Sequence, residues 1–159
     1  MTKLELRRHA LETMHEEHLA TLDQLALLTQ AIRAPRTARD AALPRFRELL
    51  GALLSDLEGR VEGHFLFEER HLFPLLRQAG QAELADSLTL EHASIRNATV
   101  PLLRHARAAL AANPADEEWT TFGQLAAALI EMKRAHMQRE ESEMDPILRT
   151  ILPQGESGP

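Results

Sequence analysis

Two segments of this chain carry one pattern. His64-Phe-Leu-Phe-Glu68-Glu69 runs on to Pro74 and Leu76, and His136-Met-Gln-Arg-Glu140-Glu141 runs on to Pro146 and Leu148. In each, carboxylates stand at +4 and +5 from the histidine, proline at +10 and leucine at +12. A helix turns about 100° per residue, so a histidine and the glutamate four residues on share one face. Each copy then offers an imidazole and a carboxylate in the same direction. Two such pairs facing each other would make a dinuclear metal site. The pattern therefore demands two helices that turn equivalent faces to a common centre.

The rest of the sequence is compatible with that demand. With 159 residues, a single domain with a real core is the simplest organisation. The net charge of −6 argues against nucleic acid as a partner, because backbone binding needs clustered Lys and Arg. The absence of cysteine excludes disulfides, thiolate metal sites and cysteine nucleophiles. The charged start, Met-Thr-Lys-Leu-Glu-Leu-Arg-Arg-His, lacks the apolar stretch of a signal peptide. No apolar run approaches the roughly 18 residues of a membrane span. A cytoplasmic protein without a membrane partner is the expectation.

Apolar spacing at three and four residues predicts four long helices. The first runs from about Leu4 to Ile32, with Leu11, His15, His18, Leu22, Leu25 and Ile32 on one stripe. Thr2 and Glu5 would form its capping box. The second covers about Ala41 to Gln78, with His64, Glu68, His71 and Leu75 in line, and Gly80 closes it. The third covers about Ala82 to Ala112, with Leu84, Leu88, His92, Ile95 and Leu102 in line. The fourth covers about Asp116 to Ile151, with Leu129, Met132, His136, Glu140, Met144 and Ile147 in line. Short connections favour antiparallel neighbours, so the predicted fold is all-α, an up-down-up-down antiparallel four-helix bundle over residues 1–152. The tail, 153–159, should be disordered. Pro74, Pro101 and Pro146 fall inside helical patterns and should kink or break them.

Each core stripe contains one favoured histidine: His18, His64, His92 and His136. Counting residues from the shared turns puts His92 and His136 nearly level, and Glu68 level with His92. His18 fits less well around the first turn. A single histidine on an apolar stripe is most often a core residue bonded to a neighbour. Two glutamates on core stripes are harder to explain, because a buried unpaired carboxylate costs several kcal/mol. A metal supplies the missing charge. Glu69 and Glu141 point about 140° from their histidines, which suits a solvated or flanking role. Glu91 belongs to an outer layer or the surface. His71 and His15 are alternative ligands; packing is preferred for His71, and His18 is preferred to His15. His9 and His105 are read as surface residues.

At this point the chain resembles the hemerythrin-like, or HHE cation-binding, domain family. The pieces that carry the resemblance are Glu17-His18-Leu19, His64 through Glu69 with Leu72-Phe73-Pro74, Glu91-His92-Ala-Ser-Ile95, and His136 through Glu141 with Pro146. The resemblance implies a four-helix bundle around two Fe ions with an oxo or hydroxo bridge. It carries His18, His64, His92 and His136 over as terminal ligands, and Glu68 and Glu140 as bridges. Zn or Mn also suits such a donor set.

Oxygen-carrying members resemble this pattern but place two histidines four residues apart on the third helix. Here the positions four either side of His92 are Leu88 and Arg96. Two octahedral irons offer about twelve positions, of which this set and one bridging oxygen fill about ten. An open position on each metal suits activation of a small molecule such as O2, NO or peroxide better than storage. The resemblance thus implies redox or nitrosative stress handling, or iron repair. The family's repair proteins usually carry an additional cysteine-containing domain, which this sequence lacks. The alternative is an oxygen- or iron-sensing module that acts through a separate protein partner without turnover.

Overall fold

The computed structural model describes residues 3–34, 44, 47–48, 51–52, 55, 59–109 and 116–152. Helix α1 spans Lys3–Arg33, α2 Arg60–Phe67, α3 Phe73–Gln78, α4 Ala82–Ala109, α5 Asp116–Arg139 and α6 Asp145–Ile151. Two wider turns join these pieces. Glu68–Leu72 (π1) links α2 to α3, and Glu140–Met144 (π2) links α5 to α6. Among the described residues there are thus four helical rods and no strand. Expected and observed limits agree closely for the first, third and fourth helices. The expected cap at Thr2, most of the expected second helix before residue 59, and the tail 153–159 lie outside the described residues.

The π turns fall on the repeated segments, and the sequence explains why. In each, a backbone N–H reaches five residues back, Phe73 to the Glu68 carbonyl and Asp145 to the Glu140 carbonyl. The next residue is Pro74 or Pro146, second in the following helix. Proline has no N–H, and its ring would strike the carbonyl four residues back in a regular helix. The wider turn relieves that clash where proline can be tolerated. Pro101 lies inside α4 with the helix continuing on both sides.

The extra residue in each turn also resets the buried face. Residues four apart drift by about 40° per step in a regular helix. Yet His136, Glu140, Met144, Leu148 and Leu152 are all buried, each four after the last. On the other copy Glu68, Leu72 and Leu76 are buried, while His71 is exposed. The expected stripe through His71 and Leu75 is therefore corrected. Leu75 is buried, but the π turn advances the phase by one residue and brings Leu72 and Leu76 fully inside.

Side-chain contacts set the directions of the rods. Ser87 meets Arg139, His92 meets His136 and His105 meets Glu118, so α4 and α5 run antiparallel. Glu62 meets Arg96 and Arg77 meets Asp86, so the α2–α3 rod opposes α4. Ile32 lies beside Gly123 while His18 lies beside Glu140, so α1 opposes α5. This is the expected antiparallel bundle. Gly123 lets the two rods approach closely, since a Cβ there would stand 3.0 Å from Ile32 Cγ2. Gly80, with φ of 79°, ends the second rod, and Gln81 N–H closes back onto the Leu76 carbonyl. That is the expected C-terminal cap.

Two apolar clusters fill the interior. One contains Leu25, Leu28, Ile95, Leu102, Trp119 and Phe122. The other contains Met14, Leu72, Phe73, Leu76, Leu88 and Leu148. A layer of buried polar groups lies between them, formed by His18, Glu68, His92, His136 and Glu140. No helix among the described residues is long and apolar enough to cross a membrane.

Candidate metal centre

All six sequence-predicted ligands meet in that layer. His18 Nε2 stands 3.2 Å from His64 Nε2, and His92 Nε2 stands 3.0 Å from His136 Nε2. The two carboxylates lie between the pairs. Glu68 Oε1 is 3.1 Å from His64 Nε2, and Oε2 is 3.2 Å from His92 Nε2. Glu140 Oε1 is 2.8 Å from His136 Nε2, and Oε2 is 3.2 Å from His18 Nε2. Each glutamate thus turns one oxygen to each pair. Two four-residue groups result: His18, His64, Glu68 and Glu140, and then Glu68, His92, His136 and Glu140. In each, the donor atoms lie within 4.8 Å of one another.

Hydrogen bonding alone does not explain this packing. All four oxygens of Glu68 and Glu140 are buried without a hydrogen-bond partner, their short contacts being poorly aligned for one. Such groups ordinarily find partners. The outer imidazole nitrogens are directed elsewhere. Nδ1 of His64 meets Glu17, Nδ1 of His92 meets Glu69, and Nδ1 of His136 meets Glu91, each at 2.8 Å. A carboxylate accepts the Nδ1–H and so leaves the Nε2 lone pair facing inward. Facing lone pairs repel one another and repel carboxylates. A cation between them removes both costs, so the donor set fits one metal per group with the glutamates shared. Imidazole and carboxylate without thiolate is a set for Fe, Mn or Zn.

Without a metal, protons occupy this position. Burial alone would depress His64, but Glu17 and Glu68 outweigh it and raise the imidazole to about 10. His92 rises to about 9 in the same way, against burial, through Glu140 and Glu68. Burial would lift Glu140, yet His136 and His18 hold it well below the usual carboxylate range.

The outer carboxylates form a ring that the sequence reading undervalued. Glu69 was expected to be a flanking, solvated residue. Instead it accepts from His92 and from Arg96 Nη1, at 2.8 Å each. Its 140° offset from His64 points it at the neighbouring helix rather than at water. Glu141 stands 3.7 Å from His18 Nδ1 and 3.6 Å from His15 Nδ1. Glu91 takes the outer-layer role foreseen for it and is also bonded by Arg139. Glu17 was not singled out for a role. Its signal was available, because Glu17-His18 and Glu91-His92 repeat one dipeptide, and each glutamate serves the histidine of the next rod. His15 is half exposed and His71 packs on Phe67 with ring centroids 5.0 Å apart. Neither reaches the donor groups. His105, expected at the surface, is partly buried and faces Glu118 at 3.3 Å.

Two glutamates shared by two histidine pairs in a four-helix bundle make a candidate metal site. The sequence profile of the hemerythrin HHE cation binding domain matches residues 9–148. The chain belongs to that family. Neither a curated protein nor a solved structure matches it.

Proposed function

We propose that this protein holds two iron ions, one between His18 and His64 and one between His92 and His136, with Glu68 and Glu140 bridging them. It would bind or reduce a small molecule such as O2, NO or peroxide, in redox or nitrosative stress handling or in iron repair. The observation that carries this reading is the set of four buried, unbonded carboxylate oxygens between two facing pairs of Nε2 atoms. When bound, the iron pair would supply open coordination positions and reversible redox chemistry. The protein's own part is orientation. Glu17, Glu69 and Glu91 fix the ring planes and the Nδ1 protons, and outer partners of this kind typically govern affinity by about 10- to 100-fold. Arg96 stands where a further third-helix histidine would be needed for the carrier pattern, and it serves Glu62 and Glu69 instead.

A cavity of about 220 Å3 opens beside His18, His64 and His136, and so reaches both histidine pairs. His92 is fully buried, stacked on Phe65 at 3.8 Å between ring centroids. Anaerobic purification with metal quantification, then exposure to O2, NO and peroxide under absorption spectroscopy, tests the reading. About two irons per chain and near-ultraviolet bands of a bridged pair are expected. Less than one tightly held metal after iron loading would sink it.

A further inference from the structure

The cavity beside the centre contains a cation that the metal-ligand reading leaves unused. Lys133 on α5 is 5% exposed. Its ammonium lies 5.6 Å from the Phe65 ring centroid. Among the described residues it makes no hydrogen bond and no ion pair. An aromatic face attracts a cation, but it leaves three N–H donors without acceptors. Glu68 and Glu140 act on this lysine through space. Metal ions bound between those glutamates would neutralise that attraction and leave the ammonium in need of an anion. Burial lowers Lys133 to about 8 against the pull of Glu140 and Glu68, and an anion beside the ammonium would replace the pull that bound metal removes.

Lys133 shares the cavity wall with His18, His64, Leu25, Val61 and Met137. The exposed wall is mostly apolar, but His136, Glu16, Thr21 and Gln24 also line it. At about 220 Å3 it exceeds what a diatomic gas needs, since a water molecule takes about 30 Å3 of the liquid. Glu17 also reaches the cavity, but its carboxylate is bonded to His64.

From this geometry we infer that the cavity takes a small organic anion of carboxylate type, whose oxygens accept from Lys133, and that Lys133 selects anionic over neutral ligands. The inference rests on the dinuclear reading, and its test separates the two. Iron-loaded protein is titrated by calorimetry with acetate and with acetamide, which share a shape and differ in charge. Acetate binds more tightly to the wild type. Lys133→Met fills the same volume without the charge and weakens acetate by about tenfold, the usual scale of a charge-assisted hydrogen bond. Acetamide binding and metal content stay as they were, and Lys133→Arg keeps most of the acetate affinity. Unchanged acetate affinity in Lys133→Met with two irons bound overturns the inference alone. Less than one iron per chain overturns the dinuclear reading and the inference with it. Ala20→Phe, on the exposed cavity rim, provides a second route should Lys133→Met not fold. It abolishes acetate binding at full iron content, and undiminished binding would place the anion elsewhere and overturn the proposal.

Discussion

His92 and His136 are held by carboxylates that are themselves held. Glu69 is gripped by Arg96 and Glu91 by Arg139, and both carboxylates are less than a third exposed. His18 and His64 sit in the other half under different conditions. Glu141 stops 3.7 Å short of His18 Nδ1 and is 42% exposed, and Glu17 is 49% exposed. The position four after His92 is Arg96, whereas the position four after His18 is Leu22. The halves thus share Glu68 and Glu140 and repeat one histidine pattern but differ in the layer behind it. One half is braced and buried against Phe65 and Phe73. Both histidines of the other half line the cavity, whereas of the braced half only His136 reaches it. A centre built this way would retain one ion firmly and offer the other to incoming molecules.

Changes to the shared residues should erase the difference, and they carry the largest effect. Glu68→Gln removes one bridging charge from both halves, so metal content after iron loading should fall from about two per chain to below one. Retention of two would show that Glu68 bridges nothing. The terminal ligands should then separate the halves. His18→Ala is expected to keep one ion, held by His92 and His136, measured by elemental analysis after dialysis. His92→Ala should lose more, because it opens the braced half and unseats Glu69. Equal losses from the two variants would break the comparison.

The outer carboxylates sharpen it further. Glu69→Gln keeps the shape but weakens the hold on the His92 Nδ1 proton, and affinity for the more firmly held ion should drop by about 10- to 100-fold. Glu141→Gln should change affinity by less than about threefold, since no hydrogen bond to His18 is lost. A chelator competition titration reads both.

The same two residues mark how far sequence reasoning reached. The inward direction of these side chains was legible because His64-Glu68 and His136-Glu140 follow helical spacing directly. The 140° offset of Glu69 was also legible, but it was assigned to water. In a four-helix bundle that direction faces the adjacent rod, and only packing shows that His92 and Arg96 wait there. The phase of the buried face beyond each glutamate was hidden for another reason. A kink is expected at Pro74 and Pro146, but the proline alone does not tell that the π turn before it adds one residue. The clue was the run of buried positions four apart from His136 to Leu152, a spacing that a regular helix does not sustain.

The smallest effect concerns protons in the metal-free protein. His64 and His92 have folded values of about 10 and about 9, above the ordinary 6.5. A raised value means the folded state holds the proton more tightly than the unfolded chain. That stabilisation is complete below about pH 6.5 and fades as pH rises toward 9 and 10. Glu140 has the opposite sign, with a depressed folded value. Its contribution is present above the ordinary 4.5 and fades as pH falls. The metal-free protein should therefore melt highest near pH 5–6.5 and lower at pH 9. Bound metal reverses the alkaline trend, because ligation needs neutral imidazoles and gains as protons leave. The gap in melting temperature between loaded and metal-free protein should widen from pH 6 to pH 8.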